Sequence, residues 1–148
     1  MKAAALAACA AIATAACLAA PAVAHEGHTT PWVAPDSARA MKNPAPPEAG
    51  SVERGRQLYA VNCFACHGEK GEGKGPVAVR LGFTAGDLTN AEEMTKETDG
   101  ALFWKISTGR DPMPAFSKDK GLTAPQIWDL VNFTLTLARG APPKPKDK

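Results

Sequence analysis

The sequence predicts an all-α domain. Capping residues stand before apolar runs of helical spacing near Ser51, Thr98 and Thr123. No stretch shows the strict apolar–polar alternation of a half-buried strand. Pro-rich segments bracket a region, residues 51–140, whose apolar content is that of one folded domain.

The chain opens with Met1-Lys2 and an almost unbroken run of Ala, Leu, Ile and Cys that ends at Pro21-Ala22-Val23-Ala24. A positive start, an apolar stretch and an A-x-A ending are the parts of a secretory signal peptide. Residues 1–24 are therefore read as a signal cleaved after Ala24, placing the mature protein in the periplasm with no membrane span. An uncleaved anchor and lipid attachment at Cys17 are lesser alternatives. Cleavage removes Cys9 and Cys17 and leaves Cys63 and Cys66 as the remaining cysteines. Loss of Lys2 brings 17 basic residues against 15 acidic ones closer to balance. That excludes the strongly basic face that nucleic-acid binding requires.

Residues 25–50 carry Pro31, Pro35, Pro44, Pro46 and Pro47 and read as an extended N-terminal arm with little structure of its own. Trp32 and Val33 are its large apolar residues and are expected to pack on the domain. In the domain, Ser51 is the expected cap of a first helix running to Cys63. A Gly-rich loop follows over residues 68–76. Thr89-Asn90-Ala91-Glu92 reads as a capping box opening a short helix, and Thr98 as the cap of another over residues 99–107 with Gly109 at its end. Thr123-Ala124-Pro125-Gln126 opens a long final helix through Ile127, Trp128, Leu130, Val131, Phe133, Leu135 and Leu137. Residues 141–148 form a Pro/Lys tail.

The chemistry is concentrated in Cys63-Phe64-Ala65-Cys66-His67. C-x-x-C-H is the attachment signature of a c-type haem. Each thiol adds across one haem vinyl group, two intervening residues let a single turn bridge both, and the adjacent histidine falls beneath the iron. A thioredoxin-like pair would need a βαβ setting, and none is visible. A structural zinc site wants four ligands, and the remaining histidines, His25 and His28, lie in the arm. A plain disulfide would leave His67 unexplained. With no further histidine in the domain, methionine is the candidate sixth ligand. Met41 lies in the arm and Met94 among Glu92, Glu93, Lys96 and Glu97. Met113 stands between Pro112 and Pro114, which fix φ and exclude a helix, giving a stiff loop able to present a thioether.

With these residues in view, the domain resembles a class I cytochrome c of the small bacterial monohaem type. The resemblance rests on "GRQLYAVNCFACHGEKGEGKGP", "DGALFWKISTGRDPMPAF" and "LTAPQIWDLVNFTLTLA", which cover most of residues 51–139 but not the arm. It implies the cytochrome c fold, with short helices wrapped around one haem c bound covalently through Cys63 and Cys66, and iron held by His67 and Met113. It further implies that the Pro76 carbonyl accepts a hydrogen bond from His67, and that Gly55, Tyr59 and Trp128 form the crossing of the first and last helices. Trp104 and Arg110 become candidates for contact with a haem propionate; a core aromatic and a solvated charge are their alternatives.

Iron with both axial positions filled has no open site, so the expected role is one-electron transfer and not enzyme catalysis. The expectation is a monomeric periplasmic carrier that meets redox partner proteins. A tightly docked electron-transfer subunit of a larger periplasmic oxidoreductase is the alternative. A peroxidase or a gas sensor is disfavoured by the single C-x-x-C-H and the filled coordination. Copper binding by His25 and His28 at the new terminus is a minor reading beside a plain polar terminus. Lys70, Lys74, Lys105, Lys118 and Lys120 are expected around the docking edge.

Overall fold

The computed structural model of the chain describes residues 31–45 and 47–139. The signal segment, Cys9, Cys17, His25, His28 and the 141–148 tail lie outside the described residues. The helices in chain order are α1 (Asp36–Arg39), α2 (Ala49–Asn62), α3 (Phe64–His67), α4 (Pro76–Leu81), α5 (Ala91–Lys96), α6 (Asp99–Thr108), α7 (Phe116–Asp119) and α8 (Ala124–Arg139). The all-α expectation holds for the described residues; the one β-type pairing among them is a bridge between Arg110 and Met113. Among the described residues no helix is long and apolar enough to cross a membrane.

The frame is the crossing of α2 and α8. At its centre Gly55 lies against the backbone of Asp129. A Cβ there would land on the Asp129 carbonyl and within 2.8 Å of Phe133 Cβ, so only glycine lets the two helices approach this closely. Tyr59 continues the contact, its ring 5.1 Å from that of Phe133, and joins Leu130 in a buried cluster. Trp128, which the resemblance placed at this crossing, does not belong to it. It stands on another side of α8, in a cluster with Met94, Leu102 and Val131, and stacks on Phe103 of α6 at 4.3 Å. Met94 is thus a buried filler of the core, in keeping with its adaptable side chain.

The final helix opens as its sequence predicts: Gln126 Oε1 accepts from both the backbone N–H and the hydroxyl of Thr123, at 2.9 Å each. Thr98 caps α6, its hydroxyl oxygen accepting from the Ala101 N–H at 3.1 Å, and Gly109 with φ of 62° closes that helix. Two expected caps move. The cap of α5 is Asn90 and not Thr89, whose hydroxyl bonds Asp87 instead. Helix α2 starts at Ala49, and Ser51, which a capping role would have left at the surface, is buried one turn in. There it donates to Asp129 Oδ1 at 2.6 Å and accepts from Asn132 Nδ2 at 2.7 Å. Asp129 also takes two bonds from the Arg54 guanidinium, at 2.7 and 2.9 Å.

The arm is more ordered than its proline content predicts. Pro35 has no N–H to lose at a helix start, so it precedes a single turn, α1, whose Ala38 faces inward. Ala34, Ala38 and Ala101 are buried together with Trp104 packed on them. Gly100 lets α6 come up against the Ala38 carbonyl. Further along, Asn43 Nδ2 donates to Asn132 Oδ1 at 2.7 Å, and the Asn132 amide donates to the Ala45 carbonyl at 3.1 Å. The arm is therefore joined by side-chain bonds to α8. Trp32 packs inward as expected, whereas Val33 is 66% exposed.

Candidate functional site

Cys63 ends α2 and Cys66 and His67 lie on α3, the single turn that follows it. The turn is closed by the N–H groups of Cys66 and His67, which both donate to the Cys63 carbonyl, at 3.1 and 2.9 Å. Both thiols thus project from one turn of chain, and neither is in a disulfide. Cys63 is held as a thiol, pushed up to about 12 by burial and secondarily by Cys66. A reactive redox pair needs the opposite shift. Among the described residues no group of three or more His, Cys, Asp or Glu converges as a metal-ion site.

His67 is oriented by a segment nearly twenty residues ahead. Its Nδ1 lies 3.0 Å from the Gly86 carbonyl oxygen. A carbonyl can only accept, so the ring proton sits on Nδ1 and the lone pair on Nε2, the atom free for a metal. Burial pushes the His67 pKa down, with the Gly86 contact partly opposing, which favours the neutral ring that ligation requires. The Pro76 expectation is corrected here: Pro76 is exposed at the first position of α4, and Gly86 supplies the acceptor.

The Gly-rich loop explains how Gly86 reaches His67. The Gly73 N–H donates to the His67 carbonyl at 2.8 Å and the Gly75 N–H to the Cys66 carbonyl at 2.9 Å. On its other side the loop accepts from Ala85 N–H through the Gly73 carbonyl at 3.0 Å and from Leu88 N–H through the Gly71 carbonyl at 2.7 Å. The loop is a spacer that binds the C-x-x-C-H turn on one side and residues 85–88 on the other. Gly73 combines φ of 77° with a backbone contact to Ala85 that no Cβ would allow.

Met113 sits in a tight turn. Arg110 N–H donates to the Met113 carbonyl at 3.0 Å, and Met113 N–H donates back to the Arg110 carbonyl at 2.8 Å, across a cis Asp111–Pro112 bond. Gly109 packs on Pro114, and Ser117 Oγ donates to the Ser107 carbonyl at 2.7 Å, fixing the turn to the end of α6. A depression of about 430 Å³, lined by residues 108–115 and Asp119, opens at this turn. Trp104 and Arg110 turn towards the arm. The Trp32 ring lies 6.3 Å from that of Trp104 and 5.1 Å from the Arg110 guanidinium carbon. Lys105, expected at a docking edge, is also occupied, bonded to Glu97 at 2.5 Å and 5.6 Å from the Trp32 ring centre.

A haem fits these residues. Cys63 belongs to an apolar cluster with Leu58, Ile106 and Leu122, drawn from α2, α6 and the loop before α8. All four side chains are only partly buried, so apolar surface continues outward beside the thiols. Ser107, next to Ile106, holds a buried hydroxyl with no partner among the described residues, a donor suited to an acceptor on a bound group. Gly86 is the site residue that sequence reasoning missed, since a backbone carbonyl leaves no side-chain signal.

Comparison with known proteins places the chain among cytochrome c domains. Residues 50–133 match the family described as cytochrome c oxidase, cbb3-type, subunit III, over more than half of the chain. The subunit CcoP of the cbb3-type cytochrome c oxidase of Azospirillum brasilense is 35% identical over 72 residues, 48% of this chain and 24% of that one. A chain of the Kuenenia stuttgartiensis reducing HAO-like protein complex Kustc0457/Kustc0458 superposes with a TM-score of 0.52 at 25% identity, covering 66% of this chain and 49% of its own. This chain thus spans about a quarter of the curated relative and about half of the structural one.

Proposed function

Because the chain belongs to the cytochrome c oxidase, cbb3-type, subunit III family of c-type cytochrome domains, with an electron-transfer role, we propose that it is a periplasmic carrier of single electrons. In this reading one haem c is attached through Cys63 and Cys66 and held axially by His67 and Met113. When bound, the haem supplies the Fe(II)/Fe(III) couple. The chain's own residues do the rest. The observation that carries the reading is the C-x-x-C-H turn with Nδ1 of His67 committed to Gly86 and Nε2 left as the donor. The Met113 turn is braced independently at both ends, which suits a ligand that must stay on the metal in both oxidation states. A soft thioether favours the ferrous form and raises the potential.

The test is spectroscopic. Reduced-minus-oxidised spectra with haem staining of the purified protein are expected to show one covalent, redox-active haem per chain. The ferric protein should carry the far-red charge-transfer band of thioether ligation, and Met113→Ala should abolish it. A ferric wild type without that band would rule out Met113 as ligand.

A second reading, a docked subunit of a larger oxidoreductase, is favoured by the two relatives above, both components of larger assemblies by name. Co-purification of the full chain with a stoichiometric partner selects it over the diffusing carrier.

A further inference from the structure

We propose that Trp32 of the N-terminal arm is a positioning residue for Met113, acting through Arg110; this rests on Met113 being the axial ligand. Four contacts converge on the Trp32 ring and its neighbours. The Arg110 guanidinium lies over the ring at 5.1 Å and the Lys105 ammonium at 5.6 Å. Trp104 packs beside it at 6.3 Å. Lys105 is in turn held by Glu97. Both cations lie within the distance at which the electron-rich face of an indole attracts them. Arg110 is also the residue that closes the Met113 turn, by the paired backbone bonds at 3.0 and 2.8 Å. Fixing the Arg110 side chain therefore limits how far the turn can open. Trp32 is itself anchored, since Ala34 and Ala38 just behind it are buried against Ala101. The arm is a strap whose aromatic end holds down the loop that bears the ligand.

The experiment uses the full-length holoprotein with Trp32→Leu, which fills space without a π face, and Trp32→Phe, which keeps one. Met113→Ala reports on the premise. The readouts are the ferric far-red band and the affinity of the ferric protein for added imidazole, which competes for the sixth position. Trp32→Leu is expected to weaken the band and to raise imidazole affinity roughly three- to tenfold, the population shift that loss of cation–π contacts of this size gives. Trp32→Phe should stay near wild type. If Met113→Ala loses the band while Trp32→Leu matches wild type in both readouts, the strap is refuted and the ligand reading stands. If Met113→Ala keeps the wild-type band, the ligand reading fails and the strap with it. Arg110→Gln gives an independent check should Trp32→Leu not accumulate. It is expected by itself to raise imidazole affinity, and wild-type affinity in Arg110→Gln would refute the strap.

Discussion

At Gly55 a hydrogen in place of a methyl group decides whether the two long helices can meet. The Asp129 carbonyl occupies the space a side chain would need, and Phe133 closes the other side. Backbone cannot step aside as a flexible side chain can, so Gly55→Ala forces α2 and α8 apart. The expected cost is about 1–3 kcal/mol, the usual penalty of overpacking. Guanidinium denaturation of the holoprotein would read it as a lower midpoint with unchanged slope, and an unchanged midpoint would show that the crossing tolerates a Cβ. At this scale the sequence was informative where the chemistry is contiguous. Cys63, Cys66 and His67 carry their spacing in the chain itself. The Gly86 acceptor was not legible, because its place depends on hydrogen bonds from both sides of the Gly-rich loop. Pro76 was assigned by resemblance instead, and the loop geometry puts it elsewhere.

Among the elements, α6 packs against α1, α7 and α8. Its cap, Thr98, does two things at once: the hydroxyl oxygen accepts from Ala101 N–H, and its proton goes to the Arg39 carbonyl at 3.0 Å. A helix cap thereby also ties down the end of α1. Thr98→Ala removes both bonds and is expected to cost about 1–2 kcal/mol, the upper part of the range for capping residues. Thr98→Ser keeps the hydroxyl and should recover most of the loss. Thermal unfolding of the three proteins side by side checks this, and equal loss in Ala and Ser variants would assign the effect to the methyl group. Helices with a cap and an apolar face, α6 and α8, were readable in sequence. Helices α3, α4 and α7 were not, since four to six residues are too few for a periodic pattern. Ser51 misled for a related reason: a hydroxyl at the start of a helix looks the same whether it caps or bonds across to Asp129.

Over the whole molecule, the arm changes what counts as the folded unit. Composition alone set it apart, because prolines signal extended chain. What composition cannot show is that three alanines and a glycine make a surface close enough for α1 to dock on α6. The arm then reaches α8 through Asn43, whose bond to Asn132 joins it to buried Ser51 and Asp129, and Asp129 in turn pairs with the exposed Arg54. The Asn132 amide donates to the Ala45 carbonyl and to Ser51 Oγ, and its oxygen accepts from Asn43. Removing residues 25–45 therefore uncovers Ala101 and Trp104 and removes the bonds of Asn132 to Asn43 and Ala45. From the apolar area exposed and the bonds lost, the expected cost is roughly 2–4 kcal/mol. The frame of α2 and α8 does not include these residues, so the truncated protein should keep its covalent haem and its ferrous spectrum. Urea titration of the truncated and full-length holoproteins, followed at the haem absorption, measures the difference. A truncated protein with the full-length midpoint would make the arm a bystander, and the strap across the Met113 turn would then have nothing to pull against.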